Sequence, residues 1–145
     1  MLLKDVTSTV KTAISASSYF SGITVEIDLG QSDSLIDGAL NTKGICVAIA
    51  PVLEGRLIEG DLSRSSHIAR ITVWLGMNMP INSGVGGAAK NVYEAIAAII
   101  DAVTGWTPPR GDHHFSLAEE CYELVGYDPG LLAYNVYFTK NLTIS

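Results

Sequence analysis

The chain has 145 residues, 48% of them apolar and 17% charged: one domain's worth of sequence, with enough apolar material for a core. Nine basic against fifteen acidic residues give a net charge of −6, which argues against general nucleic-acid binding, because that needs a basic face to neutralise phosphates. No apolar run reaches the ~18 residues that span a bilayer, and the opening Met1-Leu2-Leu3-Lys4-Asp5 has no leader-like apolar core, so a soluble protein of a reducing cytoplasm is expected.

Taken in order, Leu3, Val6, Val10, Ala13, Ile14 and Ser17 form a stripe at helical spacing, which predicts an amphipathic helix over 2–17. Ile23, Val25, Ile27 and Leu29 alternate with Thr24, Glu26 and Asp28, the pattern of a half-buried strand. Residues 35–40 suit a short helical turn. The run 44–52 (GICVAIAPV) is nearly all apolar and reads as a strand covered on both faces. Residues 53–64 are charged and carry two glycines, so they read as an exposed hairpin or loop. From Ser66 to Gly76, His67, Ala69, Ile71, Val73 and Leu75 alternate with Ile68, Arg70, Thr72 and Trp74, a further strand.

The longest periodic stretch is 84–103 (GVGGAAKNVYEAIAAIIDAV). It predicts a helix with Asn82 or Ser83 as N-cap and Gly105 as stop. After the irregular WTPPRGDHH at 106–114, two alternating runs, 117–127 and 131–144, flank Tyr127-Asp128-Pro129-Gly130. That turn chemistry predicts a hairpin. The order helix, strands, helix, hairpin gives a single α+β domain: a mainly antiparallel sheet packed against an N-terminal helix and a central Ala-rich helix, closed by the C-terminal β-hairpin.

Motifs for chemistry are thin. Gly84-Val85-Gly86-Gly87-Ala88-Ala89 fits G-x-G-x-x-A, but a dinucleotide loop follows directly on a strand, and here a loop intervenes; close packing of small residues is the plainer account. Asp112, His113 and His114 lie near Glu119, Glu120 and Cys121, yet no H-x-x-x-H or C-x-x-C spacing supports a metal. Ser65, Ser66 and His67 are sequence neighbours on a strand, and side chains there point to opposite faces. Glu119 and Glu120 fail as an acid–base pair for the same reason. Cys46 and Cys121 read as buried free thiols. No catalytic residue, cofactor or metal is expected.

The layout itself carries more. The helix at 2–17, the buried strand 44–52 with the charged loop after it, HIARITVWL at 67–75, the helix 84–103 and the closing LLAYNVYFTKNLTI together resemble the tail-terminator (tail-completion) proteins of long-tailed bacteriophages and prophages. The resemblance implies a virion protein assembled in the bacterial host cytoplasm as a homohexameric ring. Such a ring caps the tail tube, ends its polymerisation and offers the head–tail joining surface. The implied partners are further copies of itself, the tail-tube protein and the head–tail connector protein, with no membrane and no sequence-specific nucleic acid. It implies no catalytic residues. Contacts are expected from the two polar loops, through Arg56, Glu59, Asp61 and Arg64 in the first and Trp106, Arg110, His113 and His114 in the second. Other readings stay open: another neck, connector or tail-tube subunit, a small cytoplasmic ligand- or protein-binding module, and an enzyme.

Overall fold

The computed structural model describes residues 1–30, 33–52, 54–58 and 66–144. The chain folds as an α+β domain around a six-stranded, mostly antiparallel sheet that does not close into a barrel. In chain order the elements are α1 (Val6–Ser15), β1 (Thr24–Ile27), α2 (Asp33–Thr42), β2 (Ile45–Ile49), β3 (Glu54–Leu57), β4 (Ser66–Asn78), α3 (Met79–Asn82), α4 (Val92–Thr104), β5 (Ser116–Asp128) and β6 (Leu131–Thr143). The strand order is β1-β2-β4-β6-β5, with β3 pairing β4 off that path. Among the described strands only β1 and β2 run parallel, because α2 carries the chain back between them.

Period-two patterning sorts the sheet into two faces. On one face lie Val25, Ile45, Val47, Ile49, Ala69, Ile71, Val73, Leu75, Met77, Val136, Phe138 and Leu142, all buried. Helices α1 and α4 cover it with Val6, Val10, Ile14, Val92, Ala95, Ile96, Ile99 and Val103. At ~1.5–3 kcal/mol for each large side chain, this layer is the dominant stabilising element. Helix α2 covers part of the second face, packing on β2 and also touching β1 and β4. That cover buries Cys46 and Ala48 and makes β2 the doubly buried strand its unbroken apolar run predicts.

Several expectations are corrected, among them the burial of Cys121, which is only half-buried on β5. The helix expected from Gly84 begins at Val92. Gly86 at φ +80 and Ala89 at φ +53 are in left-handed conformations that a right-handed helix cannot contain. Its cap is Asn91, whose side chain accepts from the amides of Tyr93 (2.9 Å) and Glu94 (3.2 Å). Asn82 is no cap for this helix. It is buried, donates from Nδ2 to the Lys90 carbonyl and accepts from the Lys90 amide, and so pins the loop shut. The expected turn at 35–40 is a ten-residue helix, α2. The strand expected to carry Leu29 inward stops at Ile27, and Leu29 is exposed.

The fold also turns a charge inward. Lys140 falls on the core face of β6, between Phe138 and Leu142, and is 2% exposed. Its Nζ donates to Asp112 Oδ1 at 2.7 Å. It also lies 5.8 Å from the Trp106 ring centre and 5.6 Å from that of Phe115. The Met1 amine stands 3.4 Å from the other oxygen of Asp112.

Candidate interaction surface

An antiparallel sheet has two edge strands, and this one manages them unequally. The β1 edge is four residues long. The β5 edge is thirteen residues long, and none of its residues is buried. Among the described residues β6 pairs it on one side only, and its other side presents N–H and C=O groups with no strand beside them, a template for another strand. Irregular register between Leu117 and Tyr122, and again between Leu124 and Gly126, twists it locally.

Apolar side chains line this edge. Tyr122, Leu124, Val125, Tyr127 and Leu131 are all exposed, Tyr127 at 76%. Tyr122 and Leu124 sit opposite Val136 and Tyr134 on the helix-bearing face. Tyr93, from the first turn of α4, joins them: its ring centre is 6.5 Å from that of Tyr134, and Tyr122 lies 6.3 Å from Tyr134 on the other side. The core layer therefore runs out from under α4 as an aromatic strip open to solvent, the kind of patch that marks an interaction site. Its charges have one sign. Glu119, Glu120, Glu123 and Asp128 are exposed on β5, which carries no basic residue.

The second face offers a polar groove over β4 and β6. Arg70 lies over the Tyr137 ring at 3.9 Å from its centre and pairs with Glu54 at 3.8 Å. Tyr137 donates to Glu123 Oε1 at 2.9 Å and accepts from Asn135 Nδ2. The Trp74 ring is laid across Gly76, where any Cβ would meet its outer edge.

The expected contact residues are scattered. Arg56 is exposed on β3 and lines this groove with Glu54, Ile68 and Arg70. Glu59, Asp61 and Arg64 lie outside the described residues. Trp106 is half-buried and packs edge-on against Phe115, ring centres 5.3 Å apart. Arg110 is exposed in a turn closed by the Asp112 amide on the Pro109 carbonyl. His113 and His114 are exposed and border a shallow depression with Ser116, Thr139, Lys140 and Asn141. The structure brings the second loop together with Lys140 through Asp112, and it keeps Arg56 apart on β3. Sequence reasoning missed Lys140 and the aromatic strip. The signal for Lys140 was available: it interrupts the inward positions of β6 between Phe138 and Leu142.

Burial alone would raise the Asp112 carboxyl. The hydrogen bonds from Lys140 and the His113 amide, with the charges of Lys140 and the chain's amine, outweigh that and hold it below its usual value. That carboxylate is committed to an ion pair. Among the described residues no three His, Cys, Asp or Glu side chains gather where a metal ion could be held. The G-x-G-x-x-A loop is also committed internally. The amides of Gly87, Ala88, Ala89 and Lys90 donate to Gly84, Lys43 and Asn82, leaving none of these four for a phosphate. Among the described residues no helix is long and apolar enough to cross a membrane.

No family model and no curated protein matches the chain. A solved structure from Akkermansia muciniphila aligns over 99% of this chain and 78% of its own length, at 10% identity and a TM-score of 0.37. A likeness at that level has no bearing on fold or function.

Proposed function

We propose that this protein is a structural subunit that works by assembling with copies of itself, as the ring that caps a phage tail tube. The observation that carries the reading is β5: a thirteen-residue edge strand, unburied throughout, fringed by Tyr122, Leu124, Tyr127 and the exposed Tyr93. A lone soluble domain ordinarily blunts such an edge with lysine, proline or a short strand. Here carboxylates and two register irregularities interrupt the edge, yet it is long, has neither lysine nor proline, and keeps an exposed apolar strip.

The charge pattern supports a ring over a two-fold dimer. Pairing β5 with another β5 would bring two all-acidic strands together, and like charges across a ladder destabilise it. The favourable partner is a different surface of the next copy. Such a heterologous contact closes into a ring when its rotation permits. The layout resemblance to tail terminators supports six copies and the tube-capping role. The tail-tube protein and the head–tail connector are then the partners above and below.

Native mass spectrometry of the purified protein over a range of concentrations, alone and with the tail-tube protein of the same phage or prophage, tests this. The expected result is a hexamer, alone or on mixing, that halts tube growth. Spontaneous tubes would make it a tube subunit instead. A chain that stays monomeric in both conditions would overturn ring assembly and favour a binding module.

A further inference from the structure

A pocket of about 340 Å³ opens on the second face where α2 stops covering the sheet. Its floor is Ala48, Thr72, Trp74 and Asn135 from β2, β4 and β6, and its wall is Asp28, Asp33 and Ile36. Among the described residues, every polar side chain it presents beyond the indole is an acceptor or can serve as one. Thr72 is 2% exposed, and its buried hydroxyl has no partner among the described residues. Asn135 donates one amide N–H to Tyr137, and its carbonyl oxygen takes no hydrogen bond among the described residues. Asp28 takes the Gly30 amide on one carboxylate oxygen, and among the described residues neither Asp28 nor Asp33 pairs with a cation. A flat indole beside two carboxylates, a hydroxyl and a carbonyl calls for a planar group that only donates. Guanidinium is that group: it stacks on aromatic faces and carries five N–H donors and no acceptor.

We propose that this pocket receives the Arg110 side chain of a second copy of the chain. The inference rests on the ring reading above and specifies one of its contacts. Arg110 is exposed at the tip of a tight turn. Pro108 and Pro109 stiffen its approach, the Asp112 amide closes it at 3.0 Å, and Gly111 takes φ +88 beyond it. Among the described residues it faces no carboxylate of its own chain. Arg56, the other exposed arginine described, lies in a groove beside Glu54. The pocket and the Arg110 turn belong to different elements, as a head-to-tail contact requires.

The test uses charge exchange in the full chain, read by native mass spectrometry across concentration. Arg110→Asp and Asp33→Arg are each expected to move the monomer–ring midpoint to at least about tenfold higher concentration, as truncated interface charge pairs do. The double variant is expected to return to within about threefold of the parent. In a second arm, the indole N–H resonance of Trp74, assigned with Trp74→Phe, is followed in the Arg110→Asp protein. It is expected to shift saturably with Nα-acetyl-arginine amide and not with Nα-acetyl-citrulline amide, which has the same shape without the charge. A ring that survives both single substitutions unchanged, or a Trp74 resonance indifferent to the arginine probe, overturns the inference and leaves ring assembly standing. A parent chain that forms no ring in any condition removes the ring reading itself, and the Arg110 contact with it.

Discussion

At the scale of single residues, the fold depends on polar groups placed where the apolar pattern gives no hint of them. Lys140 is the extreme case, a cation among Phe115, Trp106 and Phe138 that is tolerable because Asp112 meets it at 2.7 Å. Asp112→Asn leaves that cation buried without a counter-charge, so unfolding free energy at pH 7 should fall by about 3 kcal/mol or more in a denaturant titration. The pH dependence has a definite sign. The carboxyl is held below its ordinary 3.8 in the folded state, so its contribution is present above that value and is lost as pH falls through the lower folded one. The gap between the parent and Asp112→Asn should therefore close on acidification below about pH 4. Asn82 is a second such residue. Asn82→Ala leaves the Lys90 amide and carbonyl unmet and should cost about 1–3 kcal/mol by the same titration. The two thiols should separate chemically. Burial first, and the charge of Glu26 second, push the Cys46 thiol up to about 12, whereas Cys121 is only half-buried on β5. A thiol reagent at pH 8 should label about one group quickly in the native protein and two after unfolding.

At the scale of elements, β4 does the most organising. It pairs with β2 and β3 on one side and β6 on the other, and its inward residues form the centre of the core. Its outward side depends on Gly76, whose missing Cβ leaves room for the Trp74 ring. Gly76→Ala should lift that ring from the sheet, seen as a red shift of its fluorescence together with a lower Tm. Helix α4 shows how a periodic pattern overreaches. Its stripe continues back to Val85, but Val85 is fully exposed and the backbone turns left-handed at Gly86 and Ala89. The G-x-G-x-x-A segment is thus a loop tied to Lys43 and Asn82.

At the scale of the whole molecule, the imbalance between the β1 and β5 edges is what the proposed assembly rests on. Tyr122 and Leu124 lie beyond the core and keep only cross-strand contacts with Val136 and Tyr134, so Tyr122→Ser with Leu124→Ser should cost the monomer no more than about 1–2 kcal/mol. The same pair should weaken assembly by at least about tenfold, read as the concentration at which rings appear by native mass spectrometry, because aromatic anchors carry most interface energy. An assembly unaffected by losing both side chains would place the interface elsewhere.

The class of this fold and the faces of its elements are written in local chemistry. Helical spacing in 6–14, the unbroken apolar run of β2, strict alternation in β4 and β6, and the Asp128-Pro129-Gly130 turn each answer to near neighbours in the chain, and they suffice for an α+β domain with an antiparallel sheet. Whatever depends on distant neighbours was settled by the tertiary fold alone. Lys140 reads as an ordinary strand lysine until Asp112, 28 positions away, comes to meet it. Asn82 reads as a helix cap until Lys90 folds back onto it. The bareness of β5 is invisible in its own residues, which alternate much as those of β6 do, because burial of a strand is set by whether another strand and a helix lie beside it. The pocket around Trp74 and Thr72 has the same origin: it exists because α2, packed on β1, β2 and part of β4, covers the sheet no further.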